Sequence, residues 1–261
     1  MGFFVGGSVS PVVARLARPE SASWVLSVYP QAREAGGCFV PSTPRRGGQG
    51  VRGQAADAER ARDEAARRAR AKLRRYCATN RLNRLGTLTY RGAGCHDPRQ
   101  VRADLGVFFP VLRAHLGGGA FPYVWVPEWH PGGHGLHVHF AVGRFIKQSV
   151  IKRAWGRGFV SIKQLNDLPV GSGTLDQARL AARYLSKYVT KSFADADRPA
   201  GLHRYEVAQG FQPKAVRLTG HSADHVLGQA SAGFGAAPVL RWSSADLSDW
   251  RGAPAIWAQW A

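Results

Sequence analysis

Apolar and polar positions begin to recur in a regular pattern from Arg84 onward. LGTLTY at 85–90 alternates and is rich in strand formers, which predicts a strand. Residues 99–116 carry helical periodicity, with Pro110 placed to kink or divide the helix. YVWVPEW at 123–129 and GLHVHFAV at 135–142 predict two more strands, and the PGG at 131–133 between them suits an antiparallel pair. A short helix over Ile146–Trp155, a strand over Phe159–Ile162 and a helix over Thr174–Ser192 complete the pattern. Strands and helices mixed in this way predict an α+β fold with a central antiparallel β-sheet and flanking helices.

The flanks read differently. Residues 1–55 are expected to be a poorly ordered tail, since 30–53 is dense in Gly, Pro, Ser and Arg and shows no periodicity. AADAERARDEAARRARAKLRRYC at 55–77 predicts a helix, with its acidic residues early and its basic ones late, as the helix dipole favours. The domain proper is expected over 56–200, led by this helix, with a C-terminal extension over 201–261. In that extension GQASAGFGAAP at 228–238 looks like a linker. Trp242, Trp250, Trp257 and Trp260 are expected to cover a core rather than to bind bases.

Charge changes the picture. The 261 residues hold 36 Lys and Arg against 17 Asp and Glu, a formal net charge of +19. Such an imbalance repels itself and suits a polyanionic partner, nucleic acid first. Apolar content of 44% excludes a wholly disordered chain. No apolar run is long enough to span a bilayer, and the first residues lack the basic start of a secretory signal. Cys38, Cys77 and Cys95 form no CxxC pair, so neither a disulfide framework nor a zinc finger is expected and a reducing cytoplasm is the natural compartment. The helix at 58–75 is then either a solvated charged face or a surface for phosphates, carried by Arg67, Arg68, Arg70, Lys72, Arg74 and Arg75.

Two clusters can carry chemistry. His137 and His139 stand at i and i+2 of one strand, so their imidazoles share a face while Leu136, Val138 and Phe140 point into a core. Glu128 closes the preceding strand and can reach that face, giving the donor mix of a catalytic divalent ion site. His130 and His134 are expected to be ordinary loop residues. In ARYLSKYVTKS at 182–192, Tyr184 and Tyr188 share one helix face, and Lys187 and Lys191 lie beside them. The tyrosines can simply pack inward with Leu180. Alternatively, a neighbouring ammonium favours phenolate and a metal polarises an electrophile, which together suit attack on a phosphodiester.

The ordered set LGTLTY, EWHPGGHGLHVHF and YLSKYVTK resembles the HUH endonucleases, specifically the rolling-circle replication initiators, over about residues 60–195. The doubled tyrosine spacing is similar to that of the two-tyrosine initiators of small single-stranded DNA phages. The resemblance implies a ferredoxin- or RRM-like fold with the histidine pair on a middle strand. It implies Mg²⁺ or Mn²⁺ on His137, His139 and Glu128. Tyr184 or Tyr188 would attack to leave a 5′-phosphotyrosine and a free 3′-OH, and Lys187 and Lys191 would stabilise charge. Single-stranded and origin DNA are the expected partners. With no GxxxxGK[ST] phosphate loop, duplex opening would fall to a host helicase and the replication machinery. The alternatives are a two-tyrosine HUH transposase, or a non-catalytic basic module that holds RNA or single-stranded DNA.

Overall fold

The computed structural model describes residues 22–42, 57–194 and 203–261. These residues form two antiparallel five-stranded sheets and five α-helices, an α+β architecture, divided into two compact units.

The larger unit spans Arg52–Gln212. It comprises α1 (Ala58–Thr79), β3 (Arg84–Tyr90), α2 (Pro98–His115), β4 (Tyr123–Trp129), β5 (Leu136–Val142), α3 (Gln148–Trp155), β6 (Gly158–Gln164), α4 (Thr174–Ala194) and β7 (Glu206–Val207). Its strand order is β6-β3-β5-β4-β7, so β5, with its two histidines, is the middle strand. Side-chain alternation sorts the sheet into two faces. Leu88, Trp125, Leu136, Val138, Phe140, Val142 and Val160 pack under α2 and α3 with Phe108, Phe109, Ile151 and Trp155. Leu85, Val124, Val126 and Ala141 face the other way, under Leu73, Tyr76 and Cys77 of α1 and Leu185 and Val189 of α4.

Local chemistry explains the helices. Asp57 caps α1 by accepting a hydrogen bond from the Arg60 amide at 2.9 Å, and Glu64 pairs with Arg60 and Arg68 one turn away on either side. Asp97 caps α2, with Pro98 at its first position. Pro110 does not divide α2, which runs unbroken from Pro98 to His115. Gly106, whose carbonyl loses its partner to Pro110, is exposed, so water can satisfy it. At the sheet, a Cβ on Gly86 would come within 2.3 Å of the Phe140 ring, so the glycine makes room for a buried aromatic.

The smaller unit joins the two ends of the chain, over 1–51 and 213–261. Among its described residues, β1 (Ser23–Tyr29), β2 (Glu34–Val40), β8 (Val216–Gly220), β9 (Leu240–Ser243) and β10 (Ala255–Gln259) form a sheet of order β8-β1-β2-β10-β9. Helix α5 (Ala223–Phe234) lays Val226, Leu227 and Ala230 against Leu26, Val28, Ala35, Ile256, Ala258 and Trp260.

This unit corrects two expectations. Residues 23–40 form a strand pair rather than a poorly ordered tail, and 1–21 and 43–56 lie outside the described residues. Gly37 stands in the central strand because a Cβ there would meet the Val25 carbonyl oxygen at 2.0 Å. The segment read as a linker at 228–238 lies largely within α5, which Ser222 caps and Gly235 ends in a left-handed conformation (φ 66°). Trp260 is fully buried, as expected of a core tryptophan.

Candidate active site

β5 and β4 pair in register with Glu128 opposite His137 and Val126 opposite His139, while β3 sets Thr87 opposite His139. All these side chains project toward the α1/α4 layer. The Glu128 carboxylate lies 2.9 Å from His139 Nε2, and Thr87 Oγ1 lies 3.2 Å from His139 Nδ1. A carboxylate only accepts, so Nε2 carries the proton and donates to Glu128; in the neutral ring Nδ1 then accepts from the Thr87 hydroxyl. Burial holds the His139 pKa below the ordinary histidine value, against the opposing effect of the hydrogen bond it donates to Glu128. That keeps the ring neutral.

Helix α4 delivers the second cluster. The Tyr188 ring stacks on His139 with centroids 3.8 Å apart and planes 5° from parallel. One turn on, Lys191 Nζ lies 2.6 Å from the other Glu128 oxygen and 5.7 Å from the Tyr188 ring centre. Burial, followed by the Glu128 charge, pushes the Tyr188 phenol up, and Lys191 pulls it down by less. The Lys191 ammonium is raised in turn, chiefly by its hydrogen bond to Glu128. Glu128 is thus the hub, holding one oxygen on the histidine and the other on the lysine.

The structure therefore brings Glu128, His139, Tyr188 and Lys191 into one contact set. His137 joins from the side. Its Nε2 is buried with no hydrogen-bond partner, and burial lowers its pKa, helped by the neighbouring histidines His130, His139 and His134. An unpartnered buried ring nitrogen beside a carboxylate has the chemistry of a metal donor. Among the described residues, however, no three His, Cys, Asp or Glu side chains are gathered as a metal shell. Tyr184 and Lys187 lie one turn earlier on α4, where the Lys187 ammonium is 5.1 Å from the Tyr184 ring centre and Tyr184 packs on the core of α1 and α4.

Of the α1 residues, Arg67, Arg68 and Lys72 are exposed, while Arg70, Arg74 and Arg75 are half-buried. Arg70 bonds Thr190 of α4 at 3.3 Å, so that arginine holds the two helices together. The opposite face of α1 is buried against the sheet and α4. It is a packed amphipathic helix with a basic outer face.

Two neighbours were not anticipated. Thr87 fixes His139, and its place directly across the ladder was the available signal. His130, expected to be a plain loop residue, lies with its ring centre 4.4 Å from that of His137. The turn that carries it depends on Gly135 (φ 72°), where a Cβ would also meet the Cys95 carbonyl oxygen at 2.4 Å. His134 instead lies with Nε2 3.3 Å from the Tyr90 carbonyl oxygen.

Among the described residues no helix is long and apolar enough to cross a membrane. Searches of curated proteins and of solved structures return no significant match. A family model does match, that of replication-associated protein ORF2/G2P, over residues 83–193. This stretch runs from β3 into α4 and includes Glu128, both histidines of β5, both tyrosines and both lysines. Over residues 83–193 the chain is thus similar to the replication-associated protein ORF2/G2P family, a match consistent with a rolling-circle replication initiator.

Proposed function

We propose that this protein nicks one DNA strand at a replication origin in the cytoplasm and holds the 5′ end covalently on a tyrosine. The observation that carries the reading is the stack of Tyr188 on His139, with Glu128 bridging His139 to Lys191. It sets a phenol, a carboxylate, an ammonium and two imidazoles at one end of the sheet, within the segment that matches a replication family.

In the step proposed, the Tyr188 oxygen attacks the scissile phosphorus. The P–O3′ bond breaks, the O3′ takes up the proton that the phenol gives up and leaves as a 3′-hydroxyl, and the phosphate stays on the tyrosine as a 5′-phosphotyrosine. Burial holds the phenol protonated at rest, so its proton must leave as the bond forms; Glu128 is the nearest carboxylate to receive it. Lys191 then stabilises the charge that develops on the oxygens. Tyr184, one turn away, is the candidate for the closing transfer, with Lys187 beside it. Glu128, His137 and His139 would hold Mg²⁺ or Mn²⁺: the unpartnered Nε2 of His137 supports that fit, whereas His139 would have to give up the Nε2 proton it donates to Glu128 before that nitrogen could serve as a donor. A bound ion would supply Lewis-acid polarisation of the phosphate. The exposed Arg67, Arg68 and Lys72 would contact duplex phosphates, and a host helicase would open the strands.

Mixing the protein with Mn²⁺ and labelled single strands from the DNA flanking its gene tests the reading on a denaturing gel. The expected result is a protein–DNA adduct that EDTA prevents and the Tyr184→Phe, Tyr188→Phe double variant does not form. DNA that is retarded but never covalent with metal present, or an adduct that survives in the double variant, overturns it.

A further inference from the structure

The sheet face that bears the histidines is not fully covered. From His139 a row of directly paired side chains runs outward through Thr87 of β3 to Ser161 of β6. One register step on, Thr89 pairs with Phe159. Thr87 and Thr89 are half-exposed and Ser161 is exposed, so neither α1 nor α4 lies over this part of the face. Phe159 is 67% exposed at the outer edge of the sheet, on a strand whose next inward-facing residue, Val160, is buried. Two residues beyond Ser161, Lys163 is exposed on the same side.

We propose that Phe159 is a stacking platform for a base of the single strand close to the bond that is cut, with Lys163 holding a phosphate of the same strand. The proposal rests on the nickase reading and names how that site grips its substrate. Phe159 and His137 lie two strands apart, about 10 Å at the usual strand spacing. A base near a phosphate held at the histidines can reach that far, and an unpaired base offers a flat apolar face that duplex DNA keeps inside its own stack. Thr87, Thr89 and Ser161 between them are uncharged and do not repel a phosphate backbone. The net charge of +19 supplies the general attraction, and the aromatic ring adds preference for strands whose bases are free.

Equilibrium binding of fluorescent oligothymidylate, set against a self-complementary duplex, tests this with EDTA present so that cleavage plays no part. Phe159→Ala should weaken single-strand binding by about tenfold and leave duplex binding unchanged, and Phe159→Tyr should restore it. The salt slope should hold in Phe159→Ala and fall by about 0.7 in Lys163→Gln. Equal losses on both DNAs, no loss on either, or a change in sedimentation without a change in affinity overturns the proposal. Binding that behaves as expected alongside no covalent adduct removes the nickase reading and leaves the platform standing. An adduct with unaltered Phe159→Ala binding does the reverse.

Discussion

The two faces of the β6-β3-β5-β4-β7 sheet are built from the same strands and do opposite work. Under α2 and α3, Val138 and Phe140 of β5 are fully buried in an apolar, aromatic core, with Phe108 and Trp155 set edge to face at 5.8 Å. On the other face the same strand offers His137, His139 and Ala141. There the apolar packing under α1 and α4 ends at Val126, whose own row carries His139 and Thr87 with Tyr188 stacked on the histidine, and one residue pair later come Glu128 and His137. One face holds the sheet rigid so that the other can hold polar groups at fixed distances. Catalytic positioning needs such a scaffold, because groups on a packed strand move little.

Substitutions on either face should separate these roles. The largest effect is expected from Tyr188→Phe, which leaves the ring stacked on His139 and removes only the hydroxyl. Adduct formation on an oligonucleotide should fall by roughly ten-thousandfold or more while the melting temperature holds. Tyr184→Phe should retain the first cleavage. On the opposite face, Phe140→Ala should destabilise the fold by about 3–5 kcal/mol in a denaturant titration, since it empties a fully buried site between Phe108, Phe109 and Gly86. His137→Ala should do the converse: unfolding should shift by about 1 kcal/mol or less, because the ring leaves no broken hydrogen bond behind, while adduct formation collapses.

The smallest effect is on acid stability. Burial holds both His137 and His139 below the ordinary histidine pKa in the folded state. The unfolded chain therefore binds more protons once the pH falls through about 6.5, and stability should decline from there down through the lowered folded values. Melting curves from pH 7.5 to 5 should show less of that decline in a His137→Gln, His139→Gln double variant, roughly in proportion to the protons no longer taken up. An equal decline in both would place the sensitivity elsewhere.

Much of the larger unit is legible in the sequence because its signals are local. Strict alternation in GLHVHFAV separates core from site, and the spacing of Tyr184, Tyr188, Lys187 and Lys191 sets one helix face. What spacing could not give is which tyrosine meets the histidines. Where α4 lands on the sheet decides that, and it brings Tyr188 to His139 and Lys191 to Glu128. The smaller unit was not legible for a related reason. Its hairpin at 23–40 pairs with β8 and β10, about two hundred residues away along the chain, and Gly36 and Gly37 in β2 mimic loop composition, Gly37 because the Val25 backbone comes close there. In α5, glycine and alanine suggest a linker until Val226, Leu227 and Ala230 are seen against the sheet.

The central claim is that Tyr188, and not Tyr184, makes the first bond to DNA. Trypsin cuts after Arg183, Lys187 and Lys191, so it divides the two candidates into YLSK and YVTK. After a single round of cleavage, digestion of the adduct with nuclease and trypsin and mass analysis of the peptides should find the nucleotide phosphate on YVTK. Label on YLSK alone, or on a peptide outside α4, would contradict the account.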